Sequence, residues 1–333
     1  MRFLTAFSAM VLSVIVAILI VNLIFENTYK NPKRIRYGVS FSPNYAKFLG
    51  LDWQKTYLQI LDELKVKSLR IPTFWDVIEK DEGRLDFSQT DFMLDEAKKA
   101  EAKVVLVVGA RQPRWPECHI PNWAKKLSSE KRQQKTLALI EAVVTRYKGS
   151  NAVSFWQVEN EPLVSWFGQD CDKPDGQFLL KEVDLVKQTD PTRLVMITDS
   201  GEWGNWLEPM KLADILGVSL YRNSYNTLLN SYINYPIPPW VYLVKSNMSK
   251  KFTSENKTVL ISELQAEPWI KESVIDTSLK EQIKLFSLEN FQQHVLYAQK
   301  TGFDEAYLWG VEWWYYMAKQ GYPQYLEYAK NLF

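Results

Sequence analysis

Eight short apolar runs recur along the chain between residues 37 and 310, and amphipathic segments separate them. The runs are YGVSF (37–41), KSLRI (67–71), VVLVVG (104–109), VSFWQV (153–158), RLVMIT (193–198), ILGVSL (215–220), TVLISE (258–263) and AYLWG (306–310). Apolar runs of this length are typical of buried strands. Strict alternation of strands and helices predicts parallel strands with the helices outside. Eight such units predict an α/β fold, namely a closed (βα)8 TIM barrel.

The segments between the runs repeat their apolar residues at spacings of three and four, which is the pattern of helices with one buried face. They predict helices after the capping residue Asp52 and over 88–100, 130–147, 176–189 and 280–300. An open doubly wound sheet is the alternative fold, but no GxGxxG or GxxxxGK phosphate loop follows a run. Residues 222–256 depart from the alternation and are aromatic and rich in proline. They fit a lid, a membrane-facing surface or a decorated helix.

Residues 3–25 carry no charge, and a helix of about 23 residues would cover roughly 35 Å of bilayer. The sequence therefore predicts an N-terminal transmembrane helix, with a membrane anchor at 1–28, a basic linker at 29–36 and one globular domain at 37–333. A cleaved signal peptide is the alternative, although its shorter apolar region and small-residue cleavage site are not evident. More basic residues follow the span than precede it, and this asymmetry favours a cytoplasmic domain.

Composition narrows the classes of partner. The 40 basic residues nearly cancel the 39 acidic ones, so no field of one sign would attract nucleic acid. The many aromatic residues fit either a sugar-binding cleft or a rigid core. Cys118 and Cys171 are too few for a disulfide scaffold and are not spaced as zinc ligands. They are either unrelated thiols or one bridge in an oxidising compartment, which would support a domain outside the cytoplasm.

Candidate site residues lie at the carboxyl ends of the predicted strands, where (βα)8 barrels carry their active sites. Polar or aromatic residues occupy nearly every one of these ends, including Asn44, Arg70, Trp75, Asn160, Glu161, Tyr221, Glu263 and Trp309. Side-chain alternation predicts a shared face on each of four strands. The four sets are Gln157, Glu159 and Glu161; Val259, Ile261 and Glu263; Ser68 and Arg70; and Gly217, Ser219 and Tyr221. Glu161 and Glu263 are then expected to converge on one opening of the barrel. The guanidinium of Arg70 and the phenol of Tyr221 are expected beside them.

Two carboxylates on opposite sides of a pocket with aromatic walls indicate glycoside chemistry. One carboxyl must be protonated to assist the leaving oxygen, and the other must be ionised to attack the anomeric carbon. Arg70 and Tyr221 are expected to hold Glu263 ionised. Partial burial and the charge of Glu263 are expected to raise the pKa of Glu161. No HExxH motif or His cluster is present, so neither a metal nor a cofactor is expected.

The sequence resembles a known group of enzymes at three strand ends. WQVENEP at the fourth strand, ISELQAEPW at the seventh and LWG at the eighth are similar to the clan A glycoside hydrolases, the retaining (βα)8 enzymes that include the cellulase-like family 5 and families 39 and 42. The resemblance covers roughly residues 37–315. It implies that Glu161 is the acid/base and Glu263 the nucleophile, that Asn160 binds the sugar 2-hydroxyl, and that Trp309 is the platform under the reacting sugar.

The same resemblance implies that Arg70 and Tyr221 position the nucleophile. It is incomplete, because family 5 enzymes commonly place a His after the third strand and another before the sixth-strand Tyr, whereas Ser219 and Leu220 precede Tyr221 here. His119, in the loop after the third strand, is the candidate substitute. The missing residues leave the substrate within the clan open.

Other acids and aromatic residues have structural interpretations. Glu159 is expected to form an internal ion pair, with Arg111 as the candidate partner, and Glu267 is the alternative nucleophile. Trp115, Trp203 and Trp269 also lie in loops after strands, where stacking on sugar rings would use them. Core packing is the alternative for each of them.

The predicted function is a retaining β-glycosidase that acts on an oligo- or polysaccharide and is held at the membrane by its N-terminal helix. A transglycosylase would use the same residues, with an acceptor sugar in place of water. A catalytically idle barrel that binds glycans or scaffolds an envelope assembly is the alternative from another class. Glycan chemistry and the candidate Cys118–Cys171 bridge favour an extracytoplasmic catalytic domain, against the charge asymmetry around the span.

Overall fold

The computed structural model describes residues 13, 16, 34–226 and 229–333. Its main feature is a closed barrel of eight parallel strands. The barrel strands are β1 (Arg36–Ser40), β2 (Ser68–Pro72), β3 (Lys103–Val108), β4 (Val153–Val158), β5 (Val195–Asp199), β6 (Ile215–Leu220), β9 (Thr258–Gln265) and β10 (Glu305–Trp309). Each strand pairs with the next along the chain, and β10 pairs back with β1. The predicted (βα)8 barrel is confirmed, and all eight apolar runs are strands.

Helices follow the strands and cover the outside of the barrel. They are α1 (Pro43–Phe48), α2 (Trp53–Asp62), α3 (Trp75–Ile78), α4 (Ser88–Lys99), α5 (Ser129–Tyr147), α6 (Gly176–Thr189), α7 (Leu207–Leu212), α8 (Trp240–Thr253), α9 (Leu279–Leu285), α10 (Leu288–Gln299), α11 (Val311–Lys319) and α12 (Gln324–Lys330). Asp52, Ser128 and Asp175 accept hydrogen bonds from backbone N–H groups in the first turns of α2, α5 and α6. These caps satisfy donors that a helix start otherwise leaves unpaired.

The predicted helix over 280–300 is two helices instead of one. The first ends at Leu285, and Ser287 begins the second with a capping box in which Ser287 and Asn290 each bond the other's backbone. A serine that bonds the backbone in this way favours a helix start over a helix interior. The aromatic segment 222–256 contains an antiparallel hairpin, β7 (Asn223–Asn226) with β8 (Ser231–Asn234), and then α8.

Apolar side chains fill the lower part of the barrel interior. Val105, Met196, Ile215, Leu260 and Tyr307 come from five different strands, are buried and form one cluster. Polar side chains take over towards the carboxyl ends, where buried groups include Ser40, Arg70, Gln157, Thr198 and Ser219. The functional groups are therefore concentrated at the carboxyl-terminal mouth, as expected for this fold.

Strand β9 departs from the predicted alternation. Leu260 belongs to the interior cluster, whereas Val259 and Ile261 belong to the larger core that contains the helices. The pairing of β9 with β6 shifts register after Ile261, so that Ser219 lies opposite Glu263. An extra residue in a strand changes which face the following side chains occupy. Glu263 thus reaches the interior although Ile261 does not.

A disulfide bond between Cys118 and Cys171, with Cα atoms 5.3 Å apart, joins the loop after β3 to the loop after β4. Of the two interpretations of these cysteines, the bridge is confirmed. The predicted anchor at 1–28 and most of the basic linker lie outside the described residues, apart from Ser13 and Val16. Within the described part of the chain, no helix has both the length and the apolar character that a bilayer crossing requires.

Candidate active site

Glu263 lies at the mouth of the barrel with both carboxylate oxygens engaged by donors. Arg70 Nη1 lies 2.9 Å from Glu263 Oε1, and the Tyr221 hydroxyl donates to Oε2 at 2.8 Å. The residue is 6% exposed, so these two donors replace most of the hydration of its carboxylate. A carboxylate whose two oxygens both accept hydrogen bonds, one of them from a cation, is in an arrangement that suits the ionised form.

Arg70 connects the two candidate catalytic strands. It is fully buried, and besides Glu263 it donates from Nε to Gln157 Oε1 at 2.7 Å and from Nη2 to Asn160 Oδ1 at 2.6 Å. The planar guanidinium presents its donors in a fixed geometry. Removal of Arg70 would therefore disturb Glu263 and Asn160 together.

Glu161 lies across the mouth in a different environment. Its backbone N–H donates to Thr198 Oγ1 at 2.8 Å, and its backbone adopts a φ of 45°, a region that non-glycine residues seldom occupy. The residue is 5% exposed, and within the described chain no cation forms a salt bridge with it. Burial raises its pKa well above the usual range, and the negative charge of Glu263 raises it further.

Tyr221 supplies a hydroxyl that remains protonated. Burial is the main reason that its pKa lies well above the ordinary value, and the nearby charge of Glu263 adds to the effect. The phenol is therefore a hydrogen-bond donor to Glu263 at all ordinary pH values. Its ring meets the edge of Trp269 at 5.2 Å between centroids, so an aromatic contact orients it.

The predicted sugar platform at Trp309 is covered by an arginine that the sequence did not single out. The guanidinium of Arg114 lies 4.1 Å from the centre of the Trp309 ring and 3.9 Å from that of Tyr45. It also forms salt bridges with Glu267 and with Glu312, the latter at 2.9 Å. Glu267, the alternative nucleophile, is thus engaged by Arg114 instead of standing free beside the pocket.

Trp75 and Asn44, which were also predicted to bind substrate, differ in their burial. Trp75 is fully buried in α3, donates from Nε1 to Glu79 at 2.8 Å and meets the edge of Trp123. It offers no open face to a sugar, so packing accounts for it. Asn44 is half-buried in the first turn of α1. By contrast, Trp115, Trp203 and Trp269 are 68%, 64% and 45% exposed.

The expected ion pair between Glu159 and Arg111 does not form. Glu159 instead accepts hydrogen bonds from the backbone N–H groups of Ala110 and Arg111, and its side chain bonds the carboxyl of Glu182 on α6. Burial raises the pKa of both carboxyl groups. The pair therefore keeps a proton at pH values above those at which a carboxyl group usually ionises. Glu159 therefore anchors the loop after β3 and does not join Glu161 at the mouth.

The loop after β3 provides two site residues that sequence reasoning missed, Arg114 and Glu117. Glu117 Oε2 accepts a hydrogen bond from Asn160 Nδ2 at 2.9 Å, and burial is the main cause that raises its pKa to about 7. The signal was present in RQPRWPECHIP, where charged residues surround a cysteine. His119 of the same loop contacts the Arg114 carbonyl and the Phe74 ring. Among the residues that the structure describes, no group of His, Cys, Asp and Glu is arranged to hold a metal.

Comparisons with known proteins agree with this architecture. Residues 50–189 match a family model described as beta-galactosidase, Glyco_hydro_42. Beta-galactosidase LacA of Lactobacillus acidophilus is 20% identical over 205 residues, which cover 56% of this chain and 30% of the relative. Beta-galactosidase BgaA of Clostridium cellulovorans is 26% identical over 146 residues, which cover 38% and 22%. The chain thus spans less than a third of the length of the curated relatives it matches.

Solved structures share the fold. A GH5_18 protein of Bifidobacterium longum, in complex with Manb1-4GlcNAc, has a TM-score of 0.60 at 12% identity, over 83% of this chain and 68% of that one. Xylanase 10B of Thermotoga petrophila, in complex with xylobiose, has a TM-score of 0.53 at 17% identity, over 86% and 84%. The predicted resemblance to the clan A glycoside hydrolases is confirmed.

Proposed function

We propose that the barrel is a retaining β-glycosidase in which Glu263 is the nucleophile and Glu161 the general acid/base. The observation that carries this proposal is the contrast between two buried carboxyl groups. Arg70 and Tyr221 donate to both oxygens of Glu263, whereas the pKa of Glu161 is raised by burial and by the charge of Glu263. Two acids whose environments favour opposite protonation states divide the roles of base and acid between them.

In the first step, Glu263 attacks the anomeric carbon while Glu161 gives its proton to the departing glycosidic oxygen. The bond between that oxygen and the anomeric carbon breaks, and a glycosyl ester on Glu263 forms. In the second step, the Glu161 carboxylate takes a proton from water, whose oxygen displaces Glu263. The scheme requires carboxyl groups about 5–5.5 Å apart.

The electrostatics support the change of role that Glu161 undergoes. The negative charge of Glu263 helps to raise the pKa of Glu161 in the free protein, which keeps the acid protonated for the first step. Formation of the ester removes that charge, so the pKa of Glu161 falls and its carboxylate can act as a base. One electrostatic interaction therefore serves both steps.

Asn160 is held in place for contact with the sugar. Its Oδ1 accepts hydrogen bonds from Arg70 and from the Thr198 hydroxyl, the latter at 3.3 Å. These contacts fix the orientation of the amide, and the resemblance assigns it to the sugar 2-hydroxyl. A fixed donor or acceptor at that position stabilises the transition state without reorganisation.

The substrate class is a β-glycoside, and β-galactosides are the first candidates. The curated relatives are named as beta-galactosidases, and the matched family model has the same description. Since the chain spans only part of those relatives, mannosides, xylosides and glucosides belong in the same screen.

Covalent trapping tests the mechanism. The full chain is incubated with 2,4-dinitrophenyl 2-deoxy-2-fluoro-β-glycosides of these sugars, and the labelled peptide is identified by mass spectrometry. We expect the label on Glu263, its loss in Glu263→Gln and its retention in the matched control Glu267→Gln. Labelling of Glu267, or inversion at the anomeric carbon in product analysis, would overturn the assignment. The absence of labelling and of hydrolysis across the panel would favour the idle barrel.

The domain organisation and the location are part of the proposal. The Cys118–Cys171 bridge supports a catalytic domain at 37–333 that folds in an oxidising compartment, outside the cytoplasm. An anchor at 1–28 would hold it at the membrane. Protease digestion of intact cells tests the location and the anchor. An anchored domain outside the cytoplasm is released from the cells, whereas a cytoplasmic domain is protected.

A further inference from the structure

Glu117 is a buried acid at the mouth to which the proposed mechanism gives no role. It lies on the loop after β3, is 8% exposed and accepts a hydrogen bond from Asn160 Nδ2. Asn160 and Glu161 are consecutive residues, so Glu117 bonds the side chain of the residue that precedes the proposed acid/base. Buried acids are uncommon unless they are paired or serve a function.

Backbone hydrogen bonds and a disulfide hold Glu117 in its position at the mouth. Its carbonyl accepts from Gln112 N at 2.7 Å, and its N–H donates to the Arg114 carbonyl at 2.9 Å. Its φ is 72°, a conformation that costs a non-glycine residue about 1–3 kcal/mol and persists only where surrounding contacts impose it. The next residue, Cys118, is disulfide-bonded to the loop after β4.

The charges that face Glu117 come from three parts of the barrel. Arg111 and His119 of its own loop favour its ionised form, and Asn160 at the end of β4 donates to it. Glu263 on β9 opposes its ionisation, and burial opposes it more strongly. The charge of Glu117 in turn acts on Glu161, where it adds to those of Glu263 and Asp199.

We propose that Glu117 is a third carboxyl group of the active site, a positioning residue that orients the Asn160 amide and whose ionised form keeps Glu161 protonated. This inference rests on the proposed function, because it assigns Glu117 a part in the same reaction. The pKa of Glu161 then depends on whether Glu117 is protonated, and Glu117 titrates near neutral pH. As Glu117 loses its proton, the added negative charge makes Glu161 hold its own proton to higher pH.

The test is the pH profile of kcat/KM for Glu117→Gln in the full chain, with an aryl β-glycoside that the wild type hydrolyses. Gln retains an oxygen that can accept from Asn160 but carries no charge. Activity requires protonated Glu161, so we expect the alkaline limb of the profile to move to lower pH by about half a unit to one unit. Glu327→Gln, which removes an exposed charge on α12, is the matched control and should leave the limb in place.

Two further variants separate orientation from charge. Glu117→Asp retains the charge and should keep the alkaline limb near its wild-type position. Glu117→Ala removes both contributions and should lower kcat/KM by about 10- to 100-fold, because Asn160 Nδ2 loses its acceptor. An alkaline limb that is the same in wild type and in Glu117→Gln would overturn the electrostatic role.

Thermal unfolding gives a readout that does not depend on activity. The folded-state pKa of Glu117 is raised to about 7, so its contribution to stability is present at low pH and is lost as the pH rises towards 7. The Tm of Glu117→Gln relative to wild type should therefore rise between pH 5 and pH 8. A constant difference would show that Glu117 does not titrate in this window and would overturn the inference. A wild-type protein that hydrolyses none of the sugars in the panel would instead contradict the proposed function.

Discussion

The two sides of the barrel mouth both carry buried acids, but only one side pairs them with arginine. On the side of β9 and β10, Glu263 is bound by Arg70, while Glu267 and Glu312 are bound by Arg114. On the side of β3 to β5, the acids are Glu117, Glu161 and Asp199, and burial raises the pKa of each. Within the described chain none of these three forms a salt bridge.

One fold therefore gives neighbouring buried carboxyl groups two different surroundings, one with arginine partners and one without them. Burial alone favours the neutral acid, and an adjacent guanidinium opposes that preference. At Glu312 burial still raises the pKa, although the charge of Arg114 lowers it in part. The position of two arginines therefore distinguishes the two sides of the mouth, and in the proposed mechanism the arginine side supplies the nucleophile and the other side transfers the proton. Substitutions on the two sides should have different consequences.

Substitution of the proposed nucleophile is expected to have the strongest effect. Glu263→Gln should lower kcat/KM by about 10⁴-fold or more, because an amide cannot form the glycosyl ester. Glu267→Gln should cost far less, since Glu267 acts as a partner of Arg114. Steady-state rates with an aryl β-glycoside measure both. Equal losses in the two variants would contradict the division of roles between these acids.

The second effect tests the pairing itself. Arg70→Met leaves Glu263 buried without its cation and removes one of the donors to Asn160 Oδ1. Breaking a buried pair by removing one partner costs about 3–5 kcal/mol in the free energy of unfolding, which urea titration measures. The control is Arg36→Met, which removes an exposed bridge to Glu305 and should cost about 0–1 kcal/mol. Similar costs for the two variants would show that the buried pair contributes no more than a surface pair.

The weakest of these effects concerns Asp199 and the dependence of stability on pH. Burial raises the pKa of Asp199 to about 6, although the hydrogen bond from the Ser200 backbone and the charge of Lys245 partly oppose this. The folded state therefore favours the protonated form, and stability is lost as the pH rises from about 4 towards 6, by up to about 1.4 kcal/mol per pH unit. Asp199→Asn should remove this loss and be more stable than wild type at pH 7 but not at pH 3. Asp95→Asn, an exposed acid on α4, should behave as wild type.

The strands, the barrel and the convergence of the site could be predicted because each depends on local pattern. Apolar runs alternating with amphipathic segments specify a (βα)8 barrel, and parallel strands bring their carboxyl ends to one edge. Arg70 and Tyr221 both contact Glu263 for this reason.

Other parts of the site depend on departures from pattern that a sequence does not display. The irregular pairing of β9 reverses the expected faces of Val259 and Ile261. The positive φ of Glu159 directs its side chain to a carboxyl on α6 that lies 23 residues further along the chain. Arg114 reaches across the mouth from a loop whose path no periodicity specifies.

The disulfide between Cys118 and Cys171 has a consequence for the unfolded chain as well as for the site. It closes a loop across a sequence separation of 53 residues, and the restriction of the denatured ensemble for a loop of this length is worth about 4 kcal/mol at room temperature. That stabilisation comes from the chain entropy of the denatured state and requires no additional contact in the folded state. It therefore offsets the cost of keeping neighbouring acids buried and unpaired beside the loops that it joins.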